Sequence, residues 1–349
     1  MNLQKYATTP LRPPFMKRND IHGLRAFVIM PLLLHNLNSR LFPYSDLGLD
    51  VLFVTSGYFI ATILNKRRQI TYKTMFAFVY KRLRQLLPTY FAVVALFLTL
   101  SNFYLKPREQ RLLVEESRSA FCLYSNLKAS FLSDEAFEIE TATFKLFANN
   151  WLMCVEIQFS LLIFLFFKCL FGSESTNKKL LIGIGALSCL AQLLSPIAFA
   201  REFTFLHIWQ FMIGMAAFYW NHEHKQDLPT IGEDKMEWVQ TSKAKFGPLQ
   251  NFDFIATPVC LFLVLLVMIV NENLDLARIR CSIFAFLIII VGTRQQSTVL
   301  TNCWAVFIGN HAYTIYFVHW PVIVFWKSSF GQGINFIDGL LIFKRKTML

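Results

Sequence analysis

Apolar runs long enough to cross a bilayer recur along this chain, and they constrain its fold more than any other feature. They occupy residues 47–64, 86–105, 146–167, 180–200, 203–220, 254–270, 281–292 and 303–326, with weaker candidates at 24–37 and 330–343. A helix needs roughly 17–25 apolar residues to span membrane hydrocarbon, and only structures that satisfy their own backbone hydrogen bonds survive there. The short run 281–292 extends back through Leu276 if Arg278 and Arg280 carry their charged ends to the interface. Composition agrees, with 55% of the 349 residues hydrophobic and 16% charged, against about 25% charged in an average soluble domain. The expectation is an all-α fold: a polytopic transmembrane helical bundle of about ten spans, the last one short or truncated.

Charge placement orients this bundle. The formal charge is +12, but the basic residues cluster where topology needs them, so no nucleic-acid partner is expected. Residues 65–85 hold Lys66, Arg67, Arg68, Lys73, Lys81, Arg82 and Arg84 and no acid. Lys5, Arg12, Lys17 and Arg18 precede the first span, Lys178 and Lys179 precede the fifth, and Lys344, Arg345 and Lys346 follow the last. Basic loops stay on the cytoplasmic side, which places residues 1–19 there as an N-terminal tail, 346–349 there as a stub, and the acidic-leaning loop 106–145 outside. The first 19 residues lack the pattern of a cleaved signal peptide. Within 65–85, mixed aromatic and basic residues predict a helix lying in the interface that bends into the next span at Pro88. The seven cysteines lie mostly within apolar runs and read as packing residues, with neither a disulfide framework nor a metal-ligand spacing.

Against that apolar background a few polar residues stand out, because ionisable groups at membrane depth are costly and mark function. Arg25 and His35 bracket an uncharged stretch at 26–34. Glu156 interrupts an apolar helix, His319 precedes a proline, Asp50 sits early in the second span, and Ser56-Gly57 follows it. Each has a plain structural explanation: an anchor, a partner for an arginine, a bonded core histidine, close helix packing. Together they outline a polar interior with a histidine able to move a proton near neutrality and arginines suited to phosphate. No metal is expected.

These residues lie in six collinear blocks, which are DIHGLRAFVIMPLLLHN, GLDVLFVTSGYFI, VYKRLRQLLPTY, NNWLMCVEIQFSLLIF, IWQFMIGMAAFYW and IGNHAYTIYFVHWPVIVFWK. In this order they resemble the acyltransferase 3 family of integral-membrane O-acyltransferases, most closely its animal O-acyltransferase-like branch. The resemblance implies a transmembrane domain over residues 20–345. It also implies transfer of an acyl group, acetyl or similar, from acyl-CoA as co-substrate to a hydroxyl of a carbohydrate or lipid acceptor. No other cofactor is implied, and the remaining partners are membrane lipids. By the same analogy His35 and Glu156 are the catalytic candidates, with His35 the proton acceptor. Arg25, Arg82 and Arg84 bind the donor, and Ser56 and His319 line the site.

The chain departs from the family in places. Ten residues separate the family's arginine and histidine, whereas nine separate Arg25 from His35, so the counted position falls on Asn36. Eleven helical steps return nearly to the starting face, while ten leave two side chains roughly 80° apart. A kink at Pro31 could restore the facing, or the missing residue could have removed the site. Leu152 and Cys154 replace serines, and His311 stands where a small polar residue is usual; many relatives continue into a soluble hydrolase-like domain, and the expectation here is a chain without it. Two other functions remain open: a non-catalytic relative that binds lipid or acyl-CoA, and a proton-coupled transporter.

Overall fold

The computed structural model describes residues 18–37, 42–65, 71–104, 107–130, 146–171, 174–195, 203–226, 255–270, 273–294 and 297–330. Within them lie helices α1 (Asn19–Leu37), α2 (Leu47–Asn65), α3 (Tyr72–Tyr104), α4 (Pro107–Phe121), α5 (Ser125–Ser130), α6 (Trp151–Phe171), α7 (Glu174–Leu194) and α8 (Ile208–Gln226). They are followed by α9 (Ile255–Val267), α10 (Leu274–Arg294), α11 (Cys303–Asn310) and α12 (Ala312–Phe330). Short 3₁₀ turns, Ala148–Asn150 and Thr204–His207, lead into α6 and α8. No strand occurs among the described residues. The fold is therefore all-helical, as the hydropathy pattern predicts.

The side-chain contacts fix the direction of the long helices. On α2, Asp50 meets Gln210 of α8 and Tyr58 meets Phe218, so α2 and α8 run the same way. Glu156 beside Ser56 and Phe159 beside Phe211 add α6 to this set. Arg18, just before α1, reaches both Tyr58 and the Ile289 carbonyl of α10, while Arg25 meets Thr55. So α1 runs against α2. Tyr90–Phe317 and Phe97–Phe325 align α3 with α12, and Arg25–Tyr313 with Asn36–His319 aligns α12 with α1.

Helix α2 is the hub, with 15 of its 19 residues buried, and it packs most extensively on α8. Glycine makes that approach possible. A methyl group at Gly214 would lie 1.8 Å from the Val54 carbonyl oxygen, and one at Gly57 would lie 2.0 Å from that of Phe211. Small residues on facing helices let backbones touch in this way.

Two described helices are long and apolar enough to cross a membrane, Leu47–Asn65 and Tyr72–Phe103; shorter apolar helices are Trp151–Leu165, Ile182–Leu194, Ile255–Val267 and Ala312–Phe325. The predicted extension of the run 281–292 is present, since α10 begins at Leu274. One expectation differs from the structure. The run 303–326 is divided between α11 and α12 at His311, whose backbone N–H turns back to the Gly309 and Ile308 carbonyls. Gly309 is pressed against the His22 carbonyl of α1, where a Cβ would stand 1.6 Å from the oxygen. At Pro88, where a bend into the span is expected, the helix is not interrupted: the 33-residue α3 carries the proline inside it. Most of the predicted span 330–343, most of the tail 1–19 and the basic residues Lys66, Arg67 and Arg68 lie outside the described residues, as does the side chain of Cys169. The other six cysteines are free thiols.

Candidate functional site

The shared direction of α1 and α12 brings a polar cluster together where α1, α2, α3, α6 and α12 meet. Its centre is the Glu156 carboxylate, fully buried on α6. Oε2 accepts from Ser56 Oγ at 2.7 Å and from Arg82 Nη2 at 2.5 Å. Oε1 accepts from the Tyr313 hydroxyl. Arg82 Nη2 also donates to Ser56 Oγ at 2.5 Å, so serine, arginine and carboxylate close a triangle. The reason is electrostatic: a carboxylate withdrawn from water must be paired and hydrogen-bonded, or it would be neutralised.

Arg25 lies beside this triangle and is only 8% exposed. Its Nε donates to Thr55 Oγ1 at 2.8 Å, and Thr55 in turn donates to the Leu52 carbonyl. The guanidinium plane is held by two rings, Phe59 at 4.7 Å and Tyr313 at 5.3 Å. Such stacking attracts the cation without consuming its N–H groups. Both terminal nitrogens of Arg25 are therefore left without a hydrogen-bond acceptor among the described residues. Two buried guanidiniums share one carboxylate here, which leaves the cluster with an excess positive charge.

About 16 Å further along α1, at 1.5 Å per residue, a second contact joins the same two helices. Asn36 Nδ2 lies 2.8 Å from His319 Nε2, and His319 Nδ1 lies 2.5 Å from the Tyr316 carbonyl oxygen. A carbonyl can only accept, so Nδ1 carries the proton and Nε2 presents a lone pair, to which Asn36 donates. Asn36 thus shares the α12-facing side of α1 with Arg25, as eleven helical steps require. The re-winding at Pro31 that would bring His35 to that side does not occur. His35 is half-buried and its Nδ1 has no partner.

Of the predicted site residues, Arg25, Ser56, Arg82 and Glu156 are gathered into one cluster, and His319 is linked to Asn36 instead. Arg84 is exposed on α3, and no hydrogen bond joins His35 or Arg84 to the cluster among the described residues. Glu156 directs its hydrogen bonds to Ser56, Arg82 and Tyr313 rather than to an imidazole. Sequence reasoning missed Thr55 and Tyr313. Tyr313 carried a signal all the same, because it lies six residues before His319 in the same aromatic run. No group of three or more His, Cys, Asp or Glu side chains arranged to hold a metal occurs among the described residues.

Beyond α1, Arg18 forms a clasp on the outside of the bundle. It pairs with Asp20 at 2.7 Å and donates to Tyr58 at 3.0 Å. Burial alone would pull its pKa down, but the carboxylate and the phenol offset this and leave it raised.

Comparison with known proteins identifies the family. The family profile described as an acyltransferase domain matches residues 21–343. A Staphylococcus aureus (strain COL) protein named "Putative O-acetyltransferase" is 23% identical over 342 residues, covering 91% of this chain and 53% of its own length. One of the same description from strain MSSA476 is 24% identical over 362 residues, covering 97% and 56%. The O-acetyltransferase OatA of strain NCTC 8325 / PS 47 is 26% identical over 144 residues, 41% of this chain and 23% of its own. The chain spans about half the length of the first two relatives. No solved structure matches.

Proposed function

The chain belongs to the acyltransferase family, and from that premise we propose that it is a membrane-embedded O-acyltransferase. It moves an acetyl or similar acyl group from acyl-CoA to a hydroxyl of a carbohydrate or lipid acceptor. The domain, residues 20–345, crosses the membrane about ten times, with residues 1–19 and 346–349 in the cytosol. The alternating directions of the long helices and the basic residues near the start of α3 support that topology.

The single observation that carries the reading is the Arg25 guanidinium, buried, stacked on two rings and with only Nε hydrogen-bonded among the described residues. A bare guanidinium fork at such depth is costly unless an anion meets it. The excess positive charge of the cluster suits the phosphates of CoA. Glu156 is a positioning residue, holding Arg82 through Nη2 and leaving its Nε unpaired. Arg84, exposed on the same helix, extends the positive surface toward the cytosol for the donor.

In the reaction, the acceptor hydroxyl oxygen attacks the thioester carbonyl while an imidazole takes its proton. Arg25 holds the donor's phosphates about 15 Å along α1 from the histidine, leaving the thioester arm to reach the base. The C–S bond then breaks and the imidazolium returns the proton to the departing CoA thiolate, so no acyl-enzyme forms. General base catalysis of this kind is worth typically 10²–10⁴-fold.

The resemblance nominates His35 as the proton acceptor. A second reading is favoured by the Asn36 contact: His319 Nε2 is an unprotonated nitrogen on the helix that carries Tyr313, and an acceptor hydroxyl that displaces Asn36 Nδ2 would meet that lone pair. Purified protein in nanodiscs with labelled acetyl-CoA tests both. Wild type should bind the donor saturably and transfer label, and His35→Ala and His319→Ala identify the base by which one loses turnover while keeping donor binding. Donor binding without turnover in wild type would leave a non-catalytic relative, and absence of both would end the acyltransferase reading.

A further inference from the structure

A second set of buried polar groups lies on the part of α2 that meets α8 and α10, and most of its hydrogen-bonding capacity is unused. Asp50 is 3% exposed and accepts one side-chain hydrogen bond, at Oδ1 from Gln210 Nε2 at 3.0 Å. Among the described residues its Oδ2 has no partner, and neither do Gln210 Oε1, Ser282 Oγ or Ser45 Oγ, all of them buried. Arg278, one helical turn before Ser282, leaves Nε and Nη1 buried and unbonded. Its charge is felt at Asp50, yet the two form no ion pair within bonding distance. Buried polar atoms nearly always find partners, so a concentration of unpaired ones on three packed helices calls for an occupant.

The chemistry of the unpaired atoms selects that occupant. Asp50 and Gln210 offer acceptors, Arg278 offers donors, and Ser282 offers either. A simple cation would face the guanidinium, and a simple anion would face the carboxylate. A hydroxyl both donates and accepts, and neighbouring hydroxyls satisfy the carboxylate and the guanidinium together. All four residues lie within the first turns of α2, α8 and α10, so the group enters from the end of the bundle opposite the Arg18 clasp. We propose that Asp50, Gln210, Arg278 and Ser282 bind a polyhydroxyl group, the sugar-like portion of the acceptor. The assignment of that group as acceptor rests on the O-acyl transfer reading; the binding site itself does not.

The test uses full-length protein in nanodiscs, with methyl β-glucoside as probe and cyclohexyl methyl ether as the ring without hydroxyls. The glucoside should raise the unfolding temperature saturably, and the ether should not. Asp50→Asn and Arg278→Gln should weaken the glucoside response at least tenfold. Ser282→Ala, a mild change that keeps the fold, should weaken it a few-fold. Acetyl-CoA binding should be unaltered in all three. No glucoside response in wild type, or an equal response in the three variants, overturns the polyol site and leaves a water-bridged structural pair. Glucoside binding that persists while acetyl-CoA neither binds nor turns over upholds the site and overturns the acyltransferase reading.

Discussion

The two polar clusters along α2 make opposite use of the same ingredients. Around Ser56 the carboxylate of Glu156 is saturated by three donors, while positive charge is in excess and one guanidinium fork is bare. Around Asp50 carboxylate and guanidinium, with Asp46 nearby, form no ion pair among the described residues, and several of their hydrogen-bonding atoms have no partner there. The first arrangement is internally braced with positive charge to spare. The second has both signs of charge and unused donors and acceptors. Under the proposed two-substrate transfer, that difference suits a charged donor at the first and a hydroxyl-bearing acceptor at the second.

Four substitutions break or sharpen this contrast. Glu156→Gln should have the largest effect, since breaking a buried ion pair typically costs 3–5 kcal/mol. A fall in stability of about 3 kcal/mol should appear in thermal unfolding in detergent. Arg25→Met should keep the fold but lower transfer from labelled acetyl-CoA about 100-fold, the usual cost of one charge-stabilising donor. Unchanged turnover would remove Arg25 from the chemistry. Gly214→Ala drives a methyl into the Val54 carbonyl and should cost about 1–3 kcal/mol, the range for overpacking. It should also loosen the Asp50–Gln210 contact on the same interface, read as a weaker glucoside response. Asp50→Asn should have the smallest effect on stability, under about 1 kcal/mol, because the oxygen it alters has no partner to lose. A loss as large as that of Glu156→Gln would show that both clusters are structural.

Much of the first cluster was legible in the sequence because charge in an apolar run is conspicuous. Glu156, Arg25 and Arg82 announce themselves, and pairing follows from the cost of isolation. Ser56-Gly57 read as close packing; Gly57 does pack on α8, and Ser56 joins the ion pair one residue away. The sequence could not say which arginine Glu156 would take, since that depends on how far α3 reaches past α2. Tyr313 and Thr55 were missed because a hydroxyl in an aromatic or β-branched run carries no charge signal. The division of 303–326 at His311 was hidden for another reason: hydropathy is blind to a helix end set by Gly309 meeting another backbone. At α1 the helical count did identify Asn36 as the residue in line with Arg25. Only the structure shows that its counterpart is a histidine 283 residues away.

The Arg18 clasp has a consequence for how this chain comes to be assembled. The guanidinium donates to the carbonyl of Ile289, 271 residues downstream, so the contact cannot exist until that carbonyl has left the ribosome. At about 5–20 residues per second, Arg18 waits roughly 15–50 seconds for this acceptor. Until then its guanidinium is held by Asp20 and Tyr58 alone, and its third partner arrives only late in synthesis.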